Sequence, residues 1–452
     1  MRIMSSKIFF HLARLIVDPF HHIKGLLMRI LMLARDLPHA TTADSSTTLP
    51  VLRFLANEHQ VSLLAFAQNG HAATASRRDE LQKLCQRIEV LPQCTGLFHV
   101  SFSLTASMTH GDSYLMRRTY SKRMETAVQR LLREERIDAI HLDHLSMAQY
   151  VPGYWQRPII LDERQSAWRD VARRAHESLY PARRWFLWRE ARRVRALEAA
   201  VCRRATVTIA GSEMERAALE QAIGTPWRIH IVPESVDLSA FESLWQQRAP
   251  EAGRLLTLAP GQDAATQRAL TRFLTDVYAI LSHHHPLLSL DTLTRAVLPW
   301  HVRSLPGLHI APPDGANEAL WRRAAVYLAP PLPQHQAQRG ILGALAAGIP
   351  VVAHPAACDG LAVLEGEHLL MAQTPSDFAA CIDWLSREVS HTQKLIMRGR
   401  RLIQERYDSS VAIEGLRTAY AHVVAATQGI DEKTGSISQA SLAGGSRCVF
   451  CS

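Results

Sequence analysis

Residues 28–40, MRILMLARDLPHA, open the part of the chain whose pattern decides the fold. Within them 29–33 is a mostly apolar run, a helix-forming segment follows at 47–58, and a second apolar run occupies 61–66. Short apolar runs that alternate with helical segments are typical of strands buried on both faces of a parallel sheet. The stretch therefore predicts an α/β domain that begins near Met28.

The same alternation continues along the chain and divides into two series. The first covers 28–232, a linker beginning with proline covers 233–253, and the second covers 254–427. Two such series predict two Rossmann-like parallel-sheet domains that face a central cleft, where ligands bind at the carboxyl ends of the strands. A glycine- and serine-rich tail at 428–452 is predicted to be disordered. Helices are predicted at 47–58, 113–134, 182–204, 264–282, 317–324, 340–347 and from 376.

Composition and charge narrow the class of protein. The 452 residues include 47% hydrophobic and 21% charged side chains, which excludes intrinsic disorder and a single small module. The longest nearly apolar stretches fall short of the roughly 18 residues of a spanning helix, so no transmembrane helix is predicted. The net charge of +9 permits an anionic partner without choosing one. Seven cysteines without a secretion signal favour a reducing, cytoplasmic compartment.

Residues 1–27 form an N-terminal extension with two explanations. Met1-Arg2-Ile3 is echoed by Met28-Arg29-Ile30, as an upstream translation start would leave it. Alternatively, residues 7–27 place apolar side chains beside basic ones and form an amphipathic segment on a membrane surface, broken at Pro19.

Eight sequence motifs follow one another along the chain. They are MRILMLARDLPHA (28–40), HLDHLSMAQYVP (141–152), LDERQSAWRD (161–170), AGSEMERAAL (210–219), VPESVDLSAF (232–241), LWRRAAVYLAPPL (320–332), ALAAGIPVVAHPAACDGLAVLEGEHLLMA (344–372) and ERYDSSVAIEGL (405–416). In this order they resemble the retaining glycosyltransferases of family 4, which have the GT-B fold, particularly those of bacterial exopolysaccharide gene clusters. The resemblance covers nearly the whole chain from Met28.

This resemblance implies the transfer of a sugar from a nucleotide diphosphate sugar to a polysaccharide or lipid-linked acceptor, with retention of configuration. The C-terminal domain would hold the donor and the N-terminal domain the acceptor. The nucleotide sugar is a substrate, and neither a cofactor nor a metal is expected. Because the diphosphate leaving group gains negative charge, the donor site needs cationic side chains or helix N-terminal amides.

The donor motifs of the family are altered in this chain. The usual E-x7-E pattern falls on His335 and Gly343, and the basic residues before this helix are replaced by the run HQAQRG at 335–340. The glycine-rich loops of relatives are replaced at 39–46 and 258–263. These changes support a second hypothesis, a catalytically inactive GT-B scaffold that binds a partner transferase, a glycan or a membrane.

Polar residues follow two predicted strands of the first domain. We expect Asp143 and His144, which follow strand 139–142, to be a catalytic pair that orients an acceptor hydroxyl or the donor sugar. Glu163 and Arg164 follow the next strand and are predicted acceptor-side residues. The alternatives are a loop hydrogen-bond network for the first pair and a carboxylate at a helix N-terminus for the second.

The predicted donor-binding residues lie in the second domain. Gln338 and Arg339 precede helix 340–347, and from this helix entrance Arg339 is expected to reach the diphosphate. His354 ends strand 350–353. Asp359, Gly360 and Leu361 resemble the family's Gly-x-Glu-Gly-Leu loop, although an Asp-Gly turn or a buried histidine would explain these residues structurally.

The helix at 182–204 is rich in arginine. Its basic side chains either contact acidic lipid headgroups or a phosphorylated, lipid-linked acceptor, or they form a solvated face together with Glu190 and Glu198. The resemblance thus implies a hexosyltransferase-type enzyme of bacterial surface polysaccharide synthesis, cytoplasmic and peripheral on the inner membrane. A nucleotide-sugar epimerase is a third hypothesis, and nucleic-acid binding is not expected because net charge alone would support it.

Overall fold

The computed structural model describes residues 27–38, 48–67, 78, 81–92, 105, 107, 112–261, 264–312 and 317–443, with the backbone alone at 334–335 and 430–443. Residues 1–26 of the predicted extension at 1–27, and the loop at 39–46, lie outside these residues.

Seven parallel strands build the first sheet, in the order β3-β2-β1-β4-β5-β6-β7. They are β1 Arg29–Ala34, β2 Gln60–Ala67, β3 Arg87–Pro92, β4 Ala139–Leu142, β5 Ile159–Asp162, β6 Val207–Ala210 and β7 Ile229–Ile231. The interior strands β1, β4, β5 and β6 are buried almost throughout. The predicted buried parallel sheet is confirmed.

Helices cover both faces of this sheet. They are α1 Thr48–Glu58, α2 Tyr114–Thr119, α3 Lys122–Glu134, α4 Ala167–His176, α5 Pro181–Arg204 and α6 Glu213–Ile223, with a 3₁₀ turn at Leu145–Tyr150. The prediction of one helix over 113–134 is wrong. The backbone is extended at Tyr120 and Ser121, and the Ser121 N–H donates to Tyr150 Oη at 2.9 Å instead of continuing the helix.

Six parallel strands build the second sheet, in the order β10-β9-β8-β11-β12-β13. They are β8 Arg254–Ala259, β9 Ser289–Thr294, β10 Leu308–Ala311, β11 Val326–Ala329, β12 Val351–Ala353 and β13 Leu370–Met371. Its helices are α7 Glu242–Gln246, α8 Ala264–Phe273, α9 Ala279–His284, α10 Trp300–Arg303, α11 Glu318–Arg323, α12 Gln334–Ala347, α13 Pro375–Arg387 and α14 Val389–Leu402. Helix α7 lies inside the predicted linker, and Leu244 packs into the core of the second domain.

The last helix, α15 Ser409–Ala443, returns to the first domain. Its apolar side chains at 412, 416, 419 and 423 recur at helical spacing and are buried in the core formed with β1. The sequence assigned residues up to 427 to the second domain, so this boundary is corrected to the start of α15. The helix also covers 428–443 of the predicted disordered tail, where no proline interrupts it, and 444–452 lie outside the described residues.

Each sheet reverses its strand order beside its first strand. Leu31 of β1 lies opposite Ser62 of β2 on one side and Ile140 of β4 on the other. Strand β8 is flanked in the same way by β9 and β11. Such switch points leave a crevice at the carboxyl ends of the strands, where α/β proteins bind ligands. Within the described part of the chain, no helix is both long enough and apolar enough to cross a membrane.

Candidate active site

Asp143 lies at the switch point of the first sheet, immediately after β4. Its Oδ1 accepts a hydrogen bond of 2.8 Å from the backbone N–H of Arg35, which follows β1. Its Oδ2 lies 3.4 Å from Thr48 Oγ1, at the start of α1. These contacts join the β1 and β4 loops, so the carboxylate has a fixed position in the crevice.

The environment of Asp143 changes its titration. Partial burial raises the pKa of this carboxyl to about 7, and the nearby charges of Asp36 and Asp162 also raise it. The Arg35 amide and guanidinium act in the opposite direction. Asp143 therefore gains and loses a proton near neutral pH, as a group that exchanges a proton with substrate must.

His144 caps the 3₁₀ turn that follows β4. Its Nδ1 accepts from the Ser146 N–H at 3.0 Å, and the hydroxyl of Ser146 lies 2.9 Å from the same nitrogen. Burial, together with the charge of Arg35, holds the pKa of His144 well below its usual value. A neutral ring whose Nδ1 accepts carries its proton on Nε2, so His144 can donate a hydrogen bond to a ligand.

Glu163 lies beneath this loop rather than at its surface. The residue is 2% exposed, and its Oε2 accepts from the Leu145 N–H at 2.6 Å. Burial and the nearby Glu198 hold the pKa of Glu163 well above its usual range. Direct contact with an acceptor, which the sequence predicts, does not fit this burial. The side chain supports the loop that carries Asp143 and His144.

Replacement of Glu163 separates its hydrogen bond from its charge. Glu163→Ala leaves the buried Leu145 amide without its acceptor and is expected to cost about 1–3 kcal/mol of stability. Glu163→Gln keeps an oxygen acceptor. The folded protein favours the protonated form of Glu163. The wild type therefore loses stability as the pH rises above about 4.3, the ordinary pKa of glutamate, whereas the Gln variant does not. Thermal unfolding of the three proteins at about pH 5 and about pH 8 measures both effects. Equal stability of wild type and Ala variant would contradict the supporting role.

Arg164 connects the end of β5 to the segment between the domains. Its Nε lies 3.1 Å from Asp162 Oδ1, and its Nη1 donates to the carbonyl of Pro233 at 3.1 Å. Gly211 lets the next loop approach, since a Cβ there would lie 2.6 Å from the carbonyl oxygen of Arg164. Arg164 therefore fixes the interdomain segment against the first domain.

The position of Arg339 differs from the sequence prediction. Helix α12 begins at Gln334 rather than at 340, after Pro333, so Arg339 lies in the second turn and not at the helix entrance. Its Nε lies 3.9 Å from Glu234 Oε2, and both side chains are largely buried. The charge of Arg339 is thus directed to the same interdomain segment that Arg164 contacts.

Gln338 contacts the loop after β12, and both were predicted to bind the donor. Gln338 Nε2 donates to the carbonyl of Asp359 at 2.6 Å. Gly360 has a φ of 80°, a backbone conformation that favours glycine, and the Leu361 N–H donates to the Cys358 carbonyl at 3.0 Å. This turn presents its backbone at the end of the second sheet.

His354 begins the short 3₁₀ turn Pro355–Ala357 in that loop. Its Nδ1 accepts from the Ala356 N–H at 3.2 Å, and burial lowers the pKa of the ring. Like His144, it is a neutral ring whose Nδ1 is engaged in capping a turn.

Gln336 lies at the candidate donor site, although the sequence did not single it out. Its Oε1 accepts from the Gly261 N–H at 3.2 Å, and its Nε2 donates to Thr266 Oγ1 at 2.8 Å. A Cβ at Gly261 would lie 2.2 Å from Gln336 Nε2. The side chain of Gln336 therefore lies against the loop after β8, at the switch point of the second sheet.

Aromatic rings occupy the space beside Gly343, the second position of the altered E-x7-E pattern. A Cβ there would lie 3.3 Å from Trp321 and 3.6 Å from Phe241. Both rings are buried in the second core. A glutamate at this position would have to displace them.

A cleft of about 540 Å³ adjoins the first-domain site through the turn that His144 caps. Gln149 of this turn lines it, and Arg193 and Leu197 of α5 form the opposite wall. Met116 and Tyr120 complete an apolar side. The sequence offered no signal for this cleft, because its walls come from separate helices.

Helix α5 buries the two glutamates that the sequence placed on a solvated face. Glu190 is 3% exposed and accepts from Ser113 Oγ at 2.6 Å. Glu198 is fully buried and accepts from the Ala167 N–H at 2.6 Å. Both carboxyls hold neighbouring segments against the helix, so the solvated-face interpretation is wrong for them. Among the described residues, no cluster of three or more His, Cys, Asp or Glu could hold a metal ion.

One family model matches part of the chain. Residues 51–240 match the model described as Glycosyltransferase Family 4. No curated protein matches the chain significantly.

Solved structures with similar architecture span nearly the whole chain. Anabaena Alr3699/HepE, in complex with UDP and glucose, has 13% identity and a TM-score of 0.56, covering 87% of this chain and 99% of that one. Sucrose-phosphate synthase from Thermosynechococcus elongatus has 14% identity and a TM-score of 0.61, covering 88% and 100%. A mutant of S. aureus TarM with fondaparinux, alpha-GlcNAc-glycerol and UDP has 8% identity and a TM-score of 0.56, covering 87% and 100%.

These similarities fit the two parallel sheets, each with a switch point beside its first strand. The likeness in structure concerns the fold, and the family match concerns the greater part of the first domain. The chain thus has the two-domain fold of GT-B glycosyltransferases, and residues 51–240 carry the sequence pattern of glycosyltransferase family 4.

Proposed function

We propose that this protein transfers a hexose from a nucleotide diphosphate sugar to a polysaccharide or lipid-linked acceptor, with retention of configuration. The observation that carries the proposal is Asp143, a carboxyl with a pKa of about 7 held at the switch point of the first sheet. The GT-B fold supports it, because Anabaena Alr3699/HepE, of the same architecture, is in complex with UDP-glucose in one structure.

On the acceptor side, Asp143 accepts the proton of the attacking hydroxyl, and His144 donates from Nε2 to a sugar oxygen. The hydroxyl oxygen bonds to the anomeric carbon on the face from which the diphosphate departs, so the configuration is retained. Their neighbours hold them in place, as enzymes require of reacting groups. The cleft next to Gln149 and Arg193 would take the rest of the acceptor. Its apolar wall and arginine suit an acceptor that carries both lipid and phosphate.

On the donor side, the loop after β12 would bind the nucleotide sugar through Asp359, Gly360 and Leu361, with Gln338 holding the loop. Negative charge develops on the diphosphate as the sugar leaves. Backbone N–H groups of this loop and the guanidinium of Arg339 would balance it. No cofactor and no metal take part in this proposal.

The proposed setting is bacterial surface polysaccharide synthesis, with the protein in the cytoplasm and peripheral on the inner membrane. This setting is inferred from the resemblance of the sequence to glycosyltransferases of exopolysaccharide gene clusters. The partners are the nucleotide sugar, the growing glycan or lipid-linked acceptor, and lipid; nucleic acid is not among them.

Two observations favour a second candidate, an inactive GT-B scaffold. Gln336 pairs with the Gly261 amide at the second switch point, where relatives leave glycine amides for the ligand. The rings beside Gly343 take the space of a lost carboxylate. A scaffold of this kind would bind a partner transferase or a glycan without turning over a donor.

Donor turnover distinguishes the two candidates. Purified protein is incubated with UDP- and GDP-sugars, with and without lipid-linked acceptors, and released nucleotide is measured. The enzyme proposal expects release from one donor, lost in Asp143→Asn. Absence of release from every donor would favour the scaffold.

The pair Arg339–Glu234 offers a directed test of the donor site. If Glu234 draws Arg339 away from the diphosphate, Glu234→Gln is expected to tighten UDP binding by roughly tenfold, whereas Arg339→Ala weakens it by a similar factor. Calorimetry of both variants measures this opposition. Weakening by both changes would instead assign the pair a structural role at the domain junction.

A further inference from the structure

The corner between α4 and α5 exposes large apolar side chains. Leu179 is 91% exposed and Tyr180 71%, just before α5 begins. Trp185 is 58% exposed and Trp188 37%, in the first turns of α5. Single exposed apolar residues are ordinary, but four within ten residues form a patch that indicates an interaction surface.

This corner has a defined structure. The ring of Trp188 packs edge-to-face on His176 of α4, with ring centroids 4.7 Å apart. Phe186, on the same turn of α5, packs on Tyr114 of α2 at 6.0 Å. The exposed tryptophans therefore lie on a helix that contacts both α2 and α4, and Leu179 and Tyr180 lie just before it.

Arginines surround the exposed rings. Arg183, Arg184 and Arg192 are exposed, and within the described ranges none of them forms an ion pair with a carboxylate. Arg173 and Arg174, on α4, are by contrast paired with Asp170. The three unpaired guanidinium groups leave the corner with positive charge that its own acids do not balance.

We propose that this arginine–aromatic corner (Leu179, Tyr180, Arg183, Arg184, Trp185, Trp188 and Arg192) binds the surface of an anionic lipid bilayer. Tryptophan and tyrosine prefer the headgroup level of a membrane, where their rings are partly buried. Arginines beside them bind lipid phosphates. The combination of inserted rings and phosphate-binding cations matches an interfacial membrane contact.

The same helix leads from this corner to the cleft of the first domain. Arg193, which lines the cleft, lies five residues after Trp188, about 8 Å along the helix axis. If the proposed function holds, the contact would present the cleft to acceptors embedded in the bilayer. The lipid contact itself does not depend on that activity.

Vesicle flotation of the full chain tests the proposal. We expect the wild type to bind vesicles of phosphatidylcholine with phosphatidylglycerol and not vesicles of phosphatidylcholine alone. Leu179→Ser with Trp185→Ala, and separately Arg183→Ala with Arg184→Ala, should each lower vesicle affinity by about tenfold or more. These side chains are exposed, so thermal unfolding should be unchanged.

Matched controls come from the second domain. Leu287 and Trp300 are 91% and 80% exposed, and Leu287→Ser with Trp300→Ala should bind vesicles as the wild type does. The charge control is Arg272→Ala with Arg401→Ala, two exposed arginines of helices on that domain.

Three results would overturn the proposal. The first is that the wild type binds neither kind of vesicle. The second is that the corner variants bind vesicles as tightly as the wild type, as a contact made by residues 1–27 would give. The third is that the protein binds a single-stranded oligonucleotide instead of vesicles. UDP titration of the Leu179→Ser, Trp185→Ala variant should match the wild type, which separates this proposal from the proposed function.

Discussion

Asp143→Asn is expected to lower sugar transfer by a factor of about 10²–10⁴, the range for loss of a positioned proton-transfer group. The variant should nevertheless fold well. Asparagine keeps an oxygen to accept the Arg35 N–H, which Asp143 receives at 2.8 Å. A loss of activity without a loss of stability would mark the residue as functional rather than structural.

The pH dependence of this variant follows from the raised pKa. The folded wild type binds a proton at Asp143 up to about pH 7, above the ordinary aspartate value of about 3.9, so its stability falls as pH rises between those limits. Asparagine removes this effect, and the variant should gain in Tm relative to the wild type at about pH 8 but not at about pH 4. Transfer by the wild type should rise with pH through about 7, because the carboxylate is the accepting form.

Asp36→Asn is the matched control, since Asp36 lies at the same sheet edge and pairs with Arg35 at 3.1 Å. The charge of Asp36 raises the pKa of Asp143, so this variant should shift the midpoint of the activity profile to lower pH while keeping the maximal rate. Full activity of Asp143→Asn, or a pH–activity profile that is the same in both variants as in the wild type, would show that Asp143 takes no part in the mechanism.

Gly340→Ala is expected to destabilise the second domain by about 3 kcal/mol, the upper part of the range for overpacking. A Cβ at Gly340 would lie 1.9 Å from the hydroxyl oxygen of Tyr327. Tyr327 is 1% exposed and stacked on Trp321, so its ring has no room to withdraw. The measurement is the midpoint of urea unfolding.

Two variants make this expectation specific. Gly343→Ala lies one turn further along α12, where the nearest atom is 3.3 Å away, and should change stability by less than about 1 kcal/mol. Tyr327→Phe removes the clashing hydroxyl, so Gly340→Ala should cost less in that background. An equal cost in both backgrounds would show that the hydroxyl is not the cause.

Much of the fold could be predicted from the sequence because buried parallel strands are short apolar runs. Strand β4, for example, occurs at the predicted residues, 139–142. The start of α12 could not be predicted, since the polar run at 334–339 has no helical pattern of apolar residues. Helix α15 returns to the first domain through tertiary contacts; for example, the hydroxyl oxygen of Tyr420 lies 2.7 Å from His141 Nδ1. Contacts between residues so distant in the chain could not be predicted from local sequence.

The candidate site was partly predictable for the same reason. A residue that follows a buried parallel strand must lie at the carboxyl end of the sheet. The positions of Asp143, His144 and His354 could therefore be predicted. The roles of Glu163 and Arg339 were less accessible, because burial and the pairing with Glu234 come from segments distant in the chain. Gln336 had no signal, since its partner Gly261 is 75 residues away.

Calorimetric titration with UDP, GDP and their sugar conjugates shows whether the second domain holds a working donor site. We expect one nucleotide to bind with near-micromolar affinity, equivalent to about −8 kcal/mol, and Arg339→Ala to bind it more weakly. Failure of every nucleotide and nucleotide sugar to bind the wild-type protein would contradict the transferase mechanism and leave the scaffold as the function of this fold.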